Sequence, residues 1–425
     1  MKYRSLFISV LYFLLCTSVT GQEKNVFKRN ASLGIHWDGL YPYPDAVRVN
    51  QNQLESITLS DLLPRDENAV TSLLVGRDNR LYGATSGKKS HFFAYDKTLK
   101  KVVYLGKTGN DPAVFHSMAV SNSGDIFIGT TRWTDPSQVK VTTRFPGGWK
   151  QSAEVMNQPD YEGGHLYLYK TTPDLIEVAV GAPAELKDLG IPVKGEGVFC
   201  LTYDPKFNRI YGLTIPGGIV FCYEIESGSM TLLGPVTTAN YLPPFTFLSR
   251  SLVAVNGDIF GSGLLGEMFK IDGKTKNLFK KTGIILPCVK GREFLNVADI
   301  LLPSGLTFFG GTSEGYIFSC NPSTGTVRNF GRAYRENRIR GMVKGINGKY
   351  YFIAGEHPDG FCQLFSFDPE TNSFESLGLI EHVAGGWLGY QFDSMAVDQE
   401  GIIYIGESGA KSHLFIYNPI QTDSD

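Results

Sequence analysis

Histidine is the residue type in this sequence whose chemistry is most readily assigned, because its side chain titrates near neutral pH and can serve as acid, base or metal ligand. Three of the seven histidines begin the same phrase, in which four largely apolar residues follow and the last of them is Tyr. These histidines are His91, His165 and His413, in the phrases HFFAY, HLYLY and HLFIY. Three histidines in one local setting indicate an internal repeat.

The repeat extends through most of the chain. Each unit reads as an apolar strand, a Gly or Asn turn, an aromatic strand, a loop and a third strand, and several units continue into a fourth strand. The copies begin at Thr71, His116, Cys200, Arg250, Ala298, Arg340 and Asp393. Four strands in about 50 residues are typical of a propeller blade. The sequence therefore predicts an all-β, seven-bladed β-propeller with four antiparallel strands in each blade.

The last blade lacks a fourth strand, because Pro419 follows its third strand and only six residues remain. An open sheet edge invites pairing with another strand. The segment 54–63, LESITLSDLL, has the composition to supply the missing strand from the N-terminal side. We therefore expect a propeller over 54–425, closed by the strand 54–63, with its blades starting at about residue 70 and an N-terminal arm over 22–53.

The first 21 residues have the pattern of a signal peptide. Lys2 and Arg4 precede the apolar run 6–15, which is too short to cross a bilayer, and small residues follow up to Gly21. Lipid anchoring at Cys16 is not expected, because Leu15 is bulkier than the small residue usual at that position. The protein is predicted to be secreted or periplasmic, with no membrane span.

Without Cys16, five cysteines remain, which is an odd number and lacks metal-ligand spacing. We expect buried thiols at Cys200, Cys222, Cys288, Cys320 and Cys362. With 40 Lys and Arg against 42 Asp and Glu, no basic surface is expected to bind nucleic acid. A monomer is predicted. The string GTSEG at 311–315 lies between two predicted strands, with no helix after it, so it is not read as a nucleophile elbow.

Blade geometry sorts these residues onto two faces. The start of the first strand and the loop between strands two and three open on one face, called the front here, and the other turns open on the back. The front mouth of the channel is expected to hold His116, Arg250, Arg340 and Asp393, and the front loops to hold His91, His165, His357 and His413. His91, His116, Arg250 and Arg340 are the functional candidates, and the alternative for each is a salt bridge or polar plug at the channel rim.

Two further regions contain aromatic and charged residues outside the repeat. A long insertion in the second blade, 132–164, includes Trp133, Arg144 and Trp149, which suit sugar stacking and carboxylate contact. It could equally be a packed surface loop. The N-terminal arm contains His36, Trp37, Tyr41 and Arg48, which could line a pocket on the back face or simply hold the arm in place.

Metal binding stays open at this level. His91, His116 and His165 could converge on Zn²⁺, or the channel could bind Ca²⁺ through backbone carbonyl groups. Either ion would be structural, and no cofactor is certain.

Several phrases resemble those of a known group of proteins. HSMAV, GGHLYLYK and the third-blade phrase LTYDP with YGLT are similar to carbohydrate-active seven-bladed propellers of secreted bacterial systems. That group includes the ulvan lyases of polysaccharide lyase families 24 and 25, lyases acting on rhamnosyl-glucuronate, and the α-L-rhamnosidases of glycoside hydrolase family 145. The resemblance implies a glycan-degrading enzyme.

The lyase resemblance implies a His and Tyr acid–base set with an Arg that neutralises the uronate carboxylate. Removing the proton beside a carboxylate requires that its charge be masked. His91 and His116 resemble the paired histidines and Tyr203 resembles the tyrosine, while Ile219 stands where the resemblance implies the Arg. Arg250 or Arg340 could substitute for it.

The family 145 resemblance implies a different site, on the back face, with a single His from the N-terminal region. His36 matches that description. The expected activity is then hydrolysis of terminal L-rhamnose α-1,4-linked to D-glucuronate on plant arabinogalactan-type glycans. A uronate-specific lyase acting on the front face and a non-catalytic glycan-binding propeller are the alternatives.

Overall fold

The computed structural model describes residues 47–60, 62–132, 160–171, 184–236, 248–290, 296–334, 338–355, 362–409 and 412–420. Within the unit Arg48–Asp425, the described residues form seven four-stranded antiparallel sheets and one two-stranded hairpin. The predicted all-β, seven-bladed β-propeller is confirmed.

The first strand, β1 (Leu54–Thr58), precedes the blades and follows a 3-10 turn at Gln51–Gln53. Blade 1 contains β2 (Ala69–Val75), β3 (Leu81–Ser86), β4 (His91–Asp96) and β5 (Lys101–Lys107). Blade 2 contains β6 (Met118–Val120), β7 (Ile126–Gly129), β8 (Leu166–Tyr169) and β9 (Lys187–Asp188). Blade 3 contains β10 (Gly197–Asp204), β11 (Arg209–Ile215), β12 (Ile219–Glu224) and β13 (Met230–Pro235).

Blade 4 contains β14 (Val253–Val255), β15 (Asp258–Ser262), β16 (Met268–Ile271) and β17 (Leu278–Phe279), with a 3-10 turn at Leu264–Gly266. Blade 5 contains β18 (Ala298–Ser304), β19 (Thr307–Thr312), β20 (Tyr316–Asn321) and β21 (Thr326–Arg332). Blade 6 contains β22 (Ile339–Lys344), β23 (Tyr350–Ala354), β24 (Gln363–Asp368) and β25 (Ser373–Leu379). The hairpin β26 (Glu381–His382) and β27 (Trp387–Leu388) leads to blade 7, with β28 (Phe392–Val397), β29 (Ile403–Glu407) and β30 (His413–Tyr417).

The N-terminal strand closes the ring. In blade 7 the strand order is β1-β30-β29-β28, and β1 runs antiparallel to β30 from Leu54 opposite Tyr417 to Thr58 opposite His413. Strand β1 therefore runs from the back to the front, and it supplies the fourth strand of blade 7. The pairing removes the open edge that β30 would otherwise present.

A glycine in the second strand and a phenylalanine in the third strand form the packing unit of four blades. A Cβ atom on Gly83 would lie 2.2 Å from Cζ of Phe93, and the same glycine–ring contact recurs in blades 3, 4 and 5. The aromatic ring can lie across the neighbouring strand only because that strand has no side chain at this point. The other pairs are Gly212 with Phe221, Gly261 with Phe269, and Gly310 with Phe318.

Apolar side chains fill the space between neighbouring blades. The cluster between blades 7 and 1 includes Val70, Phe93, Tyr404 and Leu414, all of them buried. Aromatic pairs cross other blade boundaries, such as Phe309 with Tyr350 at 4.3 Å between ring centroids. Burial of a large apolar side chain stabilises a fold by about 1.5–3 kcal/mol. The core is therefore a ring of similar interfaces.

At the back, tyrosines of the inner two strands donate hydrogen bonds to the turns that join those strands. Tyr82 donates to Asp78 at 2.7 Å, and Tyr404 donates to Asp398 at 3.0 Å. Burial and the neighbouring carboxylate raise the pKa of both hydroxyls. Such bonds satisfy phenol groups that would otherwise be buried without a partner.

The described cysteines are free thiols, as predicted. Cys200, Cys222, Cys320 and Cys362 are buried, whereas Cys288 is half-buried. Burial raises the pKa of Cys222 and of Cys320 to about 11. In the part of the chain that the structure describes, no helix is long and apolar enough to span a membrane.

The Glu407 carboxylate fastens the closing blade at its front end. It accepts hydrogen bonds from the backbone N–H of His413 at 3.1 Å and from Trp387 Nε1 at 2.8 Å, and it lies 2.8 Å from His413 Nδ1. It also accepts from the backbone N–H of Tyr390 at 3.1 Å. One buried carboxylate thus connects the β29 and β30 ends to the segment that arrives from blade 6.

We expect the substitution Glu407→Ala to lower the free energy of unfolding by about 3–5 kcal/mol, because it leaves several buried donors without an acceptor. Urea denaturation followed by intrinsic fluorescence would measure this. The control is Glu400→Ala, which removes an exposed partner of Lys97 and should cost less than about 1 kcal/mol. Equal losses in the two variants would contradict the role assigned to Glu407.

Candidate functional site

One position of the inner strand recurs at the front mouth of the channel. In five blades it is the extra residue of a β-bulge, which can redirect a side chain. We call the seven equivalent residues the mouth ring: Thr71, His116, Phe199, Arg250, Asp299, Arg340 and Asp393. Backbone bonds join its members across blades, since the His116 N–H donates to Thr71 and the Leu201 N–H donates to His116, each at 3.4 Å. The predicted front placement of His116, Arg250, Arg340 and Asp393 follows from this register.

The mouth ring contains a buried ion pair. Arg340 Nη1 lies 2.7 Å from Asp393 Oδ1, and Ser408 donates to Asp393 Oδ2 at 2.6 Å. The Arg340 and Asp393 side chains are 2% and 0% exposed. Arg340 is therefore held inside the ring and does not offer its guanidinium to a ligand, in contrast to its predicted substrate-binding role. The pair is the salt bridge at the channel rim that the sequence left open as the alternative for Arg340.

A second carboxylate in the mouth ring lies between two guanidinium groups. Asp299 Oδ1 is 3.8 Å from Arg250 Nε, and Asp299 Oδ2 is 3.2 Å from Arg338 Nε. The Asp299 side chain is 1% exposed, whereas those of Arg250 and Arg338 are 11% and 16% exposed. These two arginines can therefore contact solvent while the acid between them is buried.

His116 and Arg250 meet at one aromatic ring. The His116 ring lies edge-on to Phe115 at 4.4 Å, and the Arg250 guanidinium lies 5.2 Å from the centre of the same ring. His116 is half-buried and has a φ of 49°, a left-handed conformation that is uncommon for a residue other than glycine. Strained backbone of this kind is often found at functional sites. The arrangement brings an imidazole and a guanidinium together at the channel mouth.

His91 is enclosed. Its Nε2 atom lies 2.7 Å from Glu67 Oε2, its Nδ1 atom lies 3.2 Å from the Tyr104 hydroxyl, and the residue is buried. Burial and the Glu67 charge raise the pKa of Tyr104. Because both ring nitrogens have protein partners, His91 supports the front loop of blade 1.

The equivalent histidines of two other blades are arranged in the same way. His165 Nδ1 is 2.9 Å from Asp188, and His413 Nδ1 is 2.8 Å from Glu407. The repeat thus places a histidine beside a carboxylate three times, on the front face as predicted.

The residues of the lyase interpretation are not brought together. Tyr203 lies near the back end of β10, and its hydroxyl donates to Asn208 at 3.0 Å in the back turn of blade 3. His91 and His116 lie at the front of blades 1 and 2. Ile219 begins β12 as His91 begins β4, and its equivalence to the neutralising Arg of the lyase resemblance stays a prediction.

Zinc binding by His91, His116 and His165, which the sequence left open, is not supported by the placement of these residues. Over the described residues, no three His, Cys, Asp or Glu side chains are grouped so that they could hold a metal ion. The carboxylate partners of His91 and His165 come from separate places in blades 1 and 2. A Ca²⁺ site formed by carbonyl groups stays a prediction.

Arg48 does not line a pocket on the back face. Its guanidinium pairs with Glu381, and its backbone bridges to Leu379, where blade 6 ends and the hairpin begins. In the same place, Ser56 of β1 hydrogen-bonds His382 at 2.7 Å. Arg48 therefore connects the entering chain to the joint between blades 6 and 7.

Six predicted site residues lie outside the described residues, so their roles stay predictions. They are His36, Trp37, Tyr41, Trp133, Arg144 and Trp149.

Sequence reasoning missed two members of the charged cluster. Asp299 was hidden because the fifth repeat was read from Ala298, one residue before the equivalent position. Arg338 lies two residues before Arg340, and the repeat pattern singled out only the second arginine. The alternation of side chains in a strand could have indicated that residues two apart share a face.

Comparison with known proteins gives the fold. No protein-family model matches the sequence, and no curated protein sequence matches it. The extracellular domain of BT4673 from B. thetaiotaomicron is similar in structure, with a TM-score of 0.54, 16% identity, and coverage of 87% of this chain and 41% of that chain. This chain therefore spans about two fifths of the length of that chain.

Two other solved structures are similar over nearly their whole length. The WD40 β-propeller domain of Doa1 has a TM-score of 0.53 and 11% identity, and the match covers 84% of this chain and 95% of that chain. The WD40 repeats of RRP9 have a TM-score of 0.52 and 10% identity, with coverage of 87% and 99%. At such identities the likeness establishes a shared propeller fold.

We expect Arg340→Met to lower the free energy of unfolding by about 3–5 kcal/mol, because it removes the guanidinium from a fully buried carboxylate. Arg338→Met should cost about 1–2 kcal/mol, since Asp299 keeps Arg250 beside it. Urea denaturation would be measured for both variants. The native protein, Arg340→Met, Asp393→Asn and the variant with both changes together form a double-mutant cycle. The double variant should have a higher free energy of unfolding than the sum of the two single losses predicts. Additive losses would show that Arg340 and Asp393 do not stabilise each other.

Proposed function

We propose that this protein is an extracytoplasmic propeller that binds a uronate-bearing glycan at the front mouth of its channel. The observation that carries the proposal is the charge of the mouth cluster. Three guanidinium groups, those of Arg250, Arg338 and Arg340, face two carboxylates, those of Asp299 and Asp393. Among the described residues, the cluster therefore has an excess of positive charge at the place where Arg250 and Arg338 contact solvent.

A uronate suits this site chemically. A guanidinium can bind a carboxylate through two parallel hydrogen bonds, and such charge-assisted bonds are stronger than neutral ones. The half-buried position of Arg250 and Arg338 reduces screening by solvent, which strengthens the attraction. His116, which shares the Phe115 ring with Arg250, can donate to or accept from a sugar hydroxyl.

Two findings support an extracytoplasmic location. The first residues have the pattern of a signal peptide, and BT4673, whose extracellular domain is similar in structure, is described as a one component system and also as a hybrid two component system. Those descriptions belong to BT4673. For this chain they favour a propeller that meets its ligand outside the cytoplasm.

Hydrolysis of terminal L-rhamnose linked to glucuronate is the second candidate function, with His36 as the predicted catalytic residue. The observation that favours it over a lyase is the separation of the front residues. His91 is enclosed by Glu67 and Tyr104, and the Tyr203 hydroxyl bonds to a back turn. In the family 145 resemblance, the front site is likewise not the catalytic one.

A product assay separates the enzymatic candidates. Purified protein would be incubated with rhamnose-capped arabinogalactan oligosaccharide while ultraviolet absorbance and free rhamnose are followed together. We expect free rhamnose without a rise in absorbance, because hydrolysis adds water and leaves no unsaturated uronate. The variant His36→Ala should release no free rhamnose, whereas His116→Ala should still release it. A rise in absorbance would instead establish a lyase and overturn the assignment of a hydrolase.

Binding can be tested independently of catalysis. We expect Arg338→Gln to weaken binding of a rhamnosyl-glucuronate disaccharide at least 10-fold in isothermal titration calorimetry, since a charge-assisted hydrogen bond contributes about 1.5–3 kcal/mol. Arg77→Gln, which changes an exposed arginine of a back turn, should leave the affinity unchanged. The methyl ester of the same disaccharide should bind the native protein as weakly as the acid binds Arg338→Gln. Equal affinity for acid and ester would rule out recognition of the carboxylate.

A further inference from the structure

A second polar site lies on the front face, at the base of the long insertion of blade 2. Three segments meet there: the connection from β5 to β6, which carries Asp111, the end of β7, which carries Thr130, and the segment leading into β8, which carries Tyr161 and His165. The site is separate from the mouth ring, because none of these residues occupies the equivalent inner-strand position. Sequence analysis had singled out the insertion but not Asp111.

The Asp111 carboxylate is the centre of this site. Its Oδ2 atom accepts a hydrogen bond from Thr130 Oγ1 at 2.6 Å and from the Tyr161 hydroxyl at 3.3 Å. The Tyr161 hydroxyl in turn accepts from the backbone N–H of Arg132 at 3.2 Å. These bonds fix the carboxylate between two walls of the site.

Among the described residues, Asp111 forms no ion pair with the cations around it. The Arg132 guanidinium lies 5.6 Å from the centre of the Tyr161 ring, and His165 Nδ1 is bonded to Asp188. Burial is the main influence on the Asp111 carboxyl and raises its pKa, and the bonds from Thr130 and Tyr161 oppose that effect. Burying a charged group in this way costs stability. A neutral amide could accept the same two hydrogen bonds, so packing alone does not require an acid at this position.

The walls of the site are aromatic and partly open to solvent. Tyr161, His165 and Tyr167 are half-buried, and the His165 ring stacks on Tyr167 at 5.7 Å with an angle of 17° between the planes. Asp188, which holds His165, is exposed. A carboxylate acceptor beside aromatic faces is an arrangement that suits a sugar, whose hydroxyl groups donate hydrogen bonds and whose C–H face packs on a ring.

We infer that Asp111, Tyr161 and His165 form a second glycan subsite, which binds a neutral sugar through hydroxyl groups that donate to the Asp111 carboxylate. The inference rests on the proposed function in one respect, namely that the ligand is a glycan. The two sites differ in chemistry. The mouth cluster would bind an anionic sugar, whereas this subsite has a carboxylate at its centre and would repel an anionic sugar. A uronate here would place two carboxylates side by side, which is unfavourable.

The experiment uses saturation-transfer NMR with two probes, methyl α-L-rhamnopyranoside as the neutral sugar and methyl α-D-glucuronide as the anionic one. The native full-length protein should transfer saturation to both the rhamnoside and the glucuronide. Asp111→Asn should reduce the signal from the rhamnoside at least fivefold and leave the glucuronide signal unchanged. Arg338→Gln should do the reverse.

A second, milder variant tests the same site in case Asp111→Asn does not fold. Tyr161→Phe keeps the aromatic wall and removes only the hydroxyl that positions Asp111, so it should reduce the rhamnoside signal about two- to fivefold. Thermal denaturation of both variants should show a single transition near that of the native protein.

The outcomes separate the two proposals. If the rhamnoside is saturated equally by the native protein and by Asp111→Asn, or is not saturated by the native protein at all, the second subsite is overturned. If Arg338→Gln leaves the glucuronide signal unchanged while Asp111→Asn still reduces the rhamnoside signal, the proposed function is overturned and the second subsite is retained.

Discussion

The pairing of β1 with β30 is the interaction on which the rest of the structure depends. A strand from the N-terminal side of the propeller and one from the C-terminal end form the outer half of the same blade. Without this pairing the ring would be open, and the inner strands would have no fixed orientation toward a common axis. The charged mouth cluster joins residues of blades 4 to 7, so its geometry depends directly on closure. Glu407 and Arg48 reinforce the same joint from the front loops and from the entering chain.

Closure of the ring also explains why several charged side chains at the channel mouth can be largely shielded from solvent. Arg340 and Asp393 come from adjacent blades, and neither could be buried without the other. The charges of Arg340 and Asp393 cancel. The rest of the cluster, Arg250, Asp299 and Arg338, has two guanidinium groups and one carboxylate. Buried pairing therefore positions the side chains, and partial exposure makes two of them available to a ligand. In the proposed binding site, the availability of each arginine depends on its burial more than on its charge.

The repeat predicted the fold well, because the packing unit is local. A second-strand glycine beneath a third-strand phenylalanine, a tyrosine bonded to its turn and an apolar inner strand are all visible within one copy of the unit. The carboxylate partners of the histidines were not predictable, because Glu67, Asp188 and Glu407 reach them from positions that differ from blade to blade. The sequence also could not show that the Arg340 side chain is buried whereas that of Arg338 is half-buried.

This difference between local and non-local information also tells where function is to be sought in a repeat fold. Residue types that recur at one repeat position, such as the histidines that begin β4 and precede β8, turned out to hold loops by bonding to nearby carboxylates. His116 and Arg250 occupy a position where other blades have Thr71 or Phe199, and Asp111 lies beside the insertion that only blade 2 contains. Such departures lie outside the packing unit, and half-burial of the Asp111 carboxylate is unfavourable for stability. A side chain that the fold does not need, held in place by bonds that the fold does provide, is best explained by a ligand.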